Sequence, residues 1–481
     1  MSMKVGFFET DITPFIGMER PGGYGKVYIE KIHDPLKARA FVAEENGEKI
    51  GICVLDTLVI HSRKFVNEIR DEIENRLGIK KENLLISATH THSGGPLFGP
   101  LPSEYEDAPE IVKILLSKYS VISAPFYYEF VKKRVIDAIS MADRLKEDVL
   151  CQAGYGFEEG VSFNRRFKMR NGRVYTHPGK GNPDILQPAG PVDSDVGVLS
   201  FWNKNNLFLG CLVNFACHCT TGCDGASADW LYYTEKIIRK TMGENSIVIL
   251  LQGASGDVTQ VNNLSDREPE FGEKWASYTG TRIGLESLKV ILTEDKYDFS
   301  PLKCKSNVFN VERRKQSEEK LKKAEGIVKK GLEDENVRNT TEWTFAKERV
   351  IYDYLFKKQK EIEIEVQAIQ IGPVIIVSNP GEFFCSLGKK IKERSHFPFT
   401  FVVELSNGNV GYLPDKDSFS PSGGGYETVL TSYSNCNIMT GEKIVEESIK
   451  IIETFKPQKI YRKSYRSSTV WSYGILGPDI D

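Results

Sequence analysis

The chain has 481 residues, 40% hydrophobic and 27% charged, which excludes wholesale disorder and leaves enough apolar mass for a large core without disulfide or metal staples. Its 63 basic and 66 acidic residues are mixed along the sequence and give a formal charge of −3, so neither nucleic acid nor an anionic membrane is expected as a partner. No apolar run reaches the ~18 residues of a spanning helix, MSMKVGFFETDITPF lacks a long apolar stretch after its early lysine, and nine cysteines is an odd number; the expectation is a cytoplasmic protein with free thiols.

In chain order, six apolar, β-rich runs each end in a polar, glycine-bearing turn: KIGICVLDTLVI, NLLISATHTHSGG, LGCLVNFACHCTT, SIVILLQGASGDVTQ, PVIIVSNPGEFF and FTFVVELSNGNVGYLP. Helical patterns such as SRKFVNEIRDEIENRLGI and YEFVKKRVIDAISMADRL run between them. The alternation predicts an α/β fold, a mixed sheet flanked by helices, with the active site at the carboxyl ends of the strands. Residues 100–125, rich in Pro, Ser and Tyr, read either as a rim over that site or as a plain surface connection. Residues 311–362 carry Lys and Glu of alternating sign with apolar residues at helical spacing, which predicts a solvated helical insertion and argues against a nucleic-acid arm.

The chemistry-bearing residues follow the apolar runs. In SATHTHSGG, His90 and His92 stand two apart at a strand end, where period-two geometry turns both imidazoles the same way. With seven histidines in the chain, composition alone would give such a pair about 0.1 times, so a metal-ligand reading competes with that of two hydrogen-bonded structural histidines. His218 sits at a similar junction among Cys217, Cys219 and Cys223; only Cys219 and Cys223 have zinc-knuckle spacing and no second pair is in register, which favours buried thiols beside a ligand histidine. Glu382, after Asn-Pro-Gly, is expected to open an amphipathic helix, where it either complements the positive helix end or supplies an oxygen ligand. Tyr412, after a glycine-bearing turn, reads by itself as a packing residue. Asp193, Asp195, Asp257 and His33 read as orienting partners of ligands or as turn and capping residues.

Taken together, GFFETDITP, IHDPLKARAF, SATHTHSGG, FNRR, VDSDVGVLSF, NFACHCTT, GASGDVTQVN, NPGEFF, GNVGYLP and GGGYET resemble, in order and spacing, the catalytic domain of the neutral (neutral/alkaline, non-lysosomal) ceramidases. The resemblance implies one Zn²⁺ per chain on His90, His218, Glu382 and Tyr412. It places His92 near the reacting carbonyl, Arg165 as the active-site arginine with Arg166 adjoining, and Tyr426 as a second active-site tyrosine. Where the family reads Gly-Asp-Val-Ser-Pro-Asn this chain reads GDVTQVN, so the family serine falls on Thr259, which keeps a hydroxyl but adds a methyl beside the substrate. Only 55 residues follow Tyr426, short of the ~100 of an immunoglobulin-like domain; residues 1–481 are expected to be a single ceramidase-like catalytic domain with its insertion.

The implied activity is metal-dependent hydrolysis of a carbon–nitrogen amide bond by activated water, on a small or N-acylated, lipid-like substrate. Thr259, the short C-terminus and the absence of an export signal lead away from ceramide itself. The rival expectations are a true ceramidase acting on N-acylsphingosine, an esterase or lactamase, and a metal-holding binding protein without catalysis.

Overall fold

The computed structural model describes residues 2–460 and 469–481. Five of its strands, Lys4–Asp11, Lys37–Glu45, Glu48–Leu55, Leu84–Ala88 and Glu147–Phe157, join Asp195–Asn203, Phe208–Phe215 and Ile247–Gln252 in one eight-stranded sheet. A second sheet of four strands, Leu302–Glu312, Glu361–Ile371, Val374–Ser378 and Phe399–Val403, lies against it. The six predicted runs are all strands, and three pairs among them and their neighbours are parallel: Glu48–Leu55 with Leu84–Ala88, Phe208–Phe215 with Ile247–Gln252, and Val374–Ser378 with Phe399–Val403. The mixed sheet flanked by helices is therefore present, and beneath it lies a second mixed sheet that periodicity did not separate.

The alternation of side chains explains the layering. Along Ile247–Gln252, Val248 and Leu250 turn toward the helices, whereas Ile247, Ile249 and Leu251 turn toward the other sheet. Helices Arg63–Leu77, Pro125–Arg144, Trp230–Met242 and Glu273–Thr293 cover the outer face of the large sheet, while Cys385–Arg394 and Thr440–Ile452 cover that of the small one. Between the sheets, Phe7, Phe41 and Phe201 form a ring cluster with centroids 5.0 to 5.6 Å apart, each pair adding about 0.5–1.5 kcal/mol beyond its buried area. Local signals agree with this packing: the Ser62 hydroxyl accepts from Phe65 N–H at the start of Arg63–Leu77, and Gly78 closes that helix at φ 68°.

The insertion is the helix pair Glu318–Glu333 and Thr341–Lys358, with a short turn of helix at Glu335–Arg338. It is narrower than the 311–362 expected, because the flanking residues already belong to strands Leu302–Glu312 and Glu361–Ile371. It is also not wholly solvated. Trp343, Ala346, Val350 and Ile351 bury one face against Tyr105, Val112 and Leu115 of the 100–125 stretch. Among the described residues, no helix is long and apolar enough to cross a membrane.

One buried ion cluster fastens a helix to the centre of the large sheet. The Arg39 guanidinium, 2% exposed, donates to both Asp56 carboxylate oxygens at 2.8 Å and to Glu235 Oε2 of Trp230–Met242 at 2.5 Å. Glu235 keeps Lys37 and Arg239 as further partners, but Asp56 has no second cation among the described ion pairs. Replacing Arg39 by Met strands a buried carboxylate and is expected to lower the unfolding free energy by about 3 kcal/mol or more, read from urea unfolding monitored by tryptophan fluorescence.

Candidate metal centre

Each sheet brings two of the expected ligands to the same place. His90 follows strand Leu84–Ala88 and His218 follows Phe208–Phe215 of the large sheet; Glu382 follows Val374–Ser378 and Tyr412 follows Phe399–Val403 of the small one. The two sheets are stitched where these strands end. Ala88 N–H donates to Leu405 O, Asn407 N–H to Ile86 O at 2.7 Å, and Glu404 N–H to Gln252 O at 3.0 Å. Glu382 does not open a helix as expected. It lies on a two-residue strand, Glu382–Phe383, paired in parallel with Tyr412–Leu413, and the helix begins at Cys385, so the carboxylate stands directly beside Tyr412.

The histidines are fixed through their Nδ1 atoms. His90 Nδ1 lies 2.8 Å from Leu58 O, His92 Nδ1 2.8 Å from Gly22 O, and His218 Nδ1 2.7 Å from Ser255 O and 3.1 Å from Val258 O. A carbonyl only accepts, so each Nδ1 carries a proton, and in the neutral imidazole it is Nε2 that presents the lone pair. These lone pairs converge. The ligand atoms of His90, His92 and His218 lie within 4.8 Å of one another, the Nε2 atoms of His90 and His92 are 3.3 Å apart, and Glu382 Oε2 is 3.3 Å from the Nε2 of both His90 and His218. His218 Nε2 and Glu382 Oε2 are buried and have no hydrogen-bond partner. Several acceptors facing each other without a donor repel, and a cation at their centre removes the conflict; the nitrogen and oxygen donors suit zinc. The residues present thus fit a metal.

Electrostatics support the same state. Burial, and next the field of Arg165, hold the His218 imidazole far below its ordinary pKa, while burial, and next His90, bring His92 down to about 3, so both are neutral as ligands or bases must be. The Tyr412 phenol is pushed well above its ordinary value by burial and then by Glu382, so it stays protonated until a cation approaches.

Three further residues were expected at the site. Tyr426 stands with its hydroxyl 3.4 Å from that of Tyr412. Arg165 packs its guanidinium 5.5 and 5.2 Å from the ring centres of Tyr412 and Tyr426, and it donates to Glu427 Oε1 (2.9 Å) and Gly256 O (2.8 Å). Its neighbour Arg166 instead reaches Ser418 Oγ and Gly424 O, which separates the two arginines. Thr259 lies on the strand Val258–Thr259, next to the carbonyl that holds His218. Its hydroxyl is 2.8 Å from Gln260 Oε1 and 3.2 Å from Thr220 Oγ1, and it is not among the residues lining the cavity at the histidines.

That cavity, about 120 Å³, is lined by His90, His92, Glu382, Tyr412 and Tyr426 together with Leu58, Val59 and Gly22. It shares Gly23, Tyr24, Phe98, Asn409 and Tyr433 with a larger chamber of about 400 Å³ walled by the 100–125 stretch and helix Thr341–Lys358. Residues 100–125 thus wall the outer chamber rather than the cavity at the histidines, and the insertion helix packed on them supplies more of that wall. Two glycines allow the close approaches: a Cβ on Gly22 would meet His92 Cβ at 2.9 Å, and one on Gly256 would meet the Glu382 carbonyl oxygen at 2.4 Å.

Several polar residues near the site act at one remove. Glu404, fully buried with its carboxyl pushed well above the usual range by desolvation, accepts from Ser255 Oγ at 2.5 Å and from Phe383 N–H at 2.7 Å. It therefore braces the residue whose carbonyl holds His218 and the residue after Glu382. Sequence reasoning did not single it out, although it follows a strand as the ligands do. Glu427 and Tyr24 were likewise missed, the latter within the glycine-rich run PGGYG. Asp257 accepts from Cys385 N–H and Asn164 Nδ2, Asp193 and Asp195 pair with Lys392, and His33 pairs with Asp34. These are contacts that hold loops rather than ligands. All nine cysteines are free, and burial pushes the thiols of Cys217, Cys219 and Cys223 up, as packed thiols rather than thiolate ligands.

Comparison with known proteins bears on the fold. No family model matches the chain, and no curated protein matches it in sequence. Solved structures do match, among them a ceramidase complexed with C2, at TM-score 0.65 and 15% identity over 98% of this chain and 78% of that one, and the neutral ceramidase of Pseudomonas aeruginosa, at TM-score 0.65 and 16% identity over 96% and 77%. The fold is that of the neutral ceramidases. At this identity the likeness fixes the ceramidase-like arrangement of sheets and helices, and the chemistry rests on the side chains of this chain.

Removing the Glu404 brace tests the centre. Glu404→Ala is expected to weaken zinc binding by about 10–100-fold in a competition titration against a fluorescent chelator, with Glu404→Gln, which keeps an acceptor and the volume, losing less.

Proposed function

We propose that the chain is a zinc-dependent hydrolase of an amide C–N bond, with His90, His218, Glu382 and Tyr412 holding one Zn²⁺. The observation that carries this reading is the convergence of Nε2 lone pairs and the Glu382 carboxylate on one point with no donor between them. A zinc ion held there lowers the pKa of water from about 15.7 to roughly 7 and polarises a carbonyl oxygen. The ceramidase-like fold supports the choice of an amide over other carbonyl bonds, since its solved neighbours carry that name.

The protein's own groups supply the rest. His92, neutral at physiological pH with its Nδ1–H tied to Gly22, offers Nε2 as the base that takes a proton from the attacking water and gives it to the leaving amine nitrogen. Tyr426, whose phenol burial holds protonated, is a hydrogen-bond donor for the carbonyl oxygen as negative charge builds on it, and the Arg165 cation beside Tyr412 and Tyr426 stabilises the same charge. Thr259 follows Val258, whose carbonyl lies at His218 Nδ1, and its hydroxyl is engaged by Thr220 and Gln260 rather than turned into the cavity. The aromatic walls at Tyr24, Phe98 and Tyr433 exclude water around the scissile bond, and the outer chamber accommodates the longer arm of an N-acylated substrate.

One observation favours a different division of the imidazoles: His92 stands as close to His90 as a ligand would. His92→Ala decides between the two. As a proton carrier it leaves one zinc per chain and cuts kcat by about 10²–10⁴; as a ligand it empties the site, seen as loss of zinc by elemental analysis.

The whole reading is tested by assaying purified protein for metal and screening N-acyl amides of increasing chain length and small polar amides, with and without chelator. Hydrolysis that stops on chelation and returns with Zn²⁺ is expected; hydrolysis indifferent to chelator overturns it.

A further inference from the structure

We infer that the outer chamber is built to receive a carboxylate on the substrate's distal arm, held by the Arg313 guanidinium; this rests on the amide-hydrolase reading only in calling the bound molecule a substrate. Arg313 leaves strand Leu302–Glu312 at the chamber wall, its main chain fixed by a hydrogen bond from its N–H to Lys360 O at 2.8 Å and by a bridge to Cys436. Its Nη1 donates to Asn435 Oδ1, its Nε is buried without a partner, and among the described residues it forms no ion pair.

The other charged groups on this wall are balanced. Lys347 and Glu348 pair with each other at 3.2 Å, with Lys347 also donating to Tyr119 O at 2.8 Å and Glu348 accepting from Ser432 Oγ. Glu104 is exposed and accepts from Leu101 N–H at 2.8 Å, while burial holds His61 toward its neutral form. Arg314, next in the chain, lies in the field of Arg349. Arg314 donates only to the carbonyls of Thr428 and Ser434, and neither it nor Arg349 forms an ion pair among the described residues. Desolvation lowers all three arginines from their ordinary pKa, the behaviour of cations short of an anion.

A guanidinium without a counter-charge at the wall of a semi-enclosed chamber is costly, and a carboxylate both relieves that cost and matches its planar fork. Leu116, Ile351, Leu355 and Val410 line the same chamber as Arg313 and offer apolar surface for a hydrocarbon spacer. The substrate class that fits is an amide whose arm is apolar along its length and ends in a carboxylate. A neutral lipid amide would leave Arg313 unpaired.

The test uses the full chain stripped of metal with chelator and titrated calorimetrically with octanoate and with octanamide. Removing the metal takes away a competing Lewis-acid site for the anion, and the Arg313→Gln variant separates binding in the chamber from any binding near Arg165. Octanoate is expected to bind at least tenfold more tightly than octanamide, Arg313→Gln to bring that ratio close to one, and Arg313→Lys, which keeps the charge but not the fork, to retain part of it. Equal binding of the two probes by the unmodified protein, or a ratio unchanged in Arg313→Gln, overturns the inference. The ratio is read without turnover, so failure to find chelator-sensitive hydrolysis would remove the amide-hydrolase reading and leave this measurement standing.

Discussion

The structure depends on the way backbone carbonyls dictate which nitrogen of each site histidine carries its proton. Leu58, Gly22 and Ser255 each present a carbonyl to an Nδ1, and the consequence is a set of lone pairs meeting a carboxylate in a buried space. Such a focus is unfavourable for the protein alone. Its persistence needs rigid surroundings, and these are provided by short strands, by glycines that let main chains approach closely, and by Glu404 tying the Ser255 and Phe383 segments together.

The layered architecture explains why the ligands meet. Strands of the same direction within the two sheets finish at one seam, and the chain leaving each strand has only a few residues before it must turn. His90 takes the unusual positive φ of 65° in such a turn, which aims its ring inward, and Thr91 bridges to Cys219 so that the two histidine-bearing segments are paired across the cleft. The site is thus a property of the seam between sheets, with two expected ligands on each side.

Access is shaped by elements outside the sheets. The glycine-rich loop carrying Tyr24 lies between the metal centre and the insertion: Gly22 holds His92, and the Tyr24 ring packs edge-on against both Tyr426 and Phe345. The insertion helix buries its apolar face on the 100–125 stretch, and two of its polar residues, Lys347 and Glu348, become part of a chamber wall. A charged helix that reads as solvent-facing is thereby converted into a surface that can discriminate among substrates.

By itself the sequence determined the strands, most of the helices and the pair of histidines that mark the centre, because apolar periodicity and a rare His-x-His spacing are local properties. Tyr412 was legible only through resemblance, since a tyrosine after a turn carries no local sign of ligation; Glu382 carried two local readings, a helix-end carboxylate and an oxygen ligand, between which only the resemblance chose. Tertiary structure alone decided that two sheets rather than one form the core, that Arg165 and not Arg166 faces the tyrosines, and that Thr259 turns toward Thr220 and Gln260. It also decided that Glu404 and Arg313 matter. The reason is physical: pairing of sheets, direction of a side chain and the absence of a counter-charge are set by the packing of the whole chain, with partners such as Arg166 and Ser418 252 positions apart, and local periodicity carries no record of that packing.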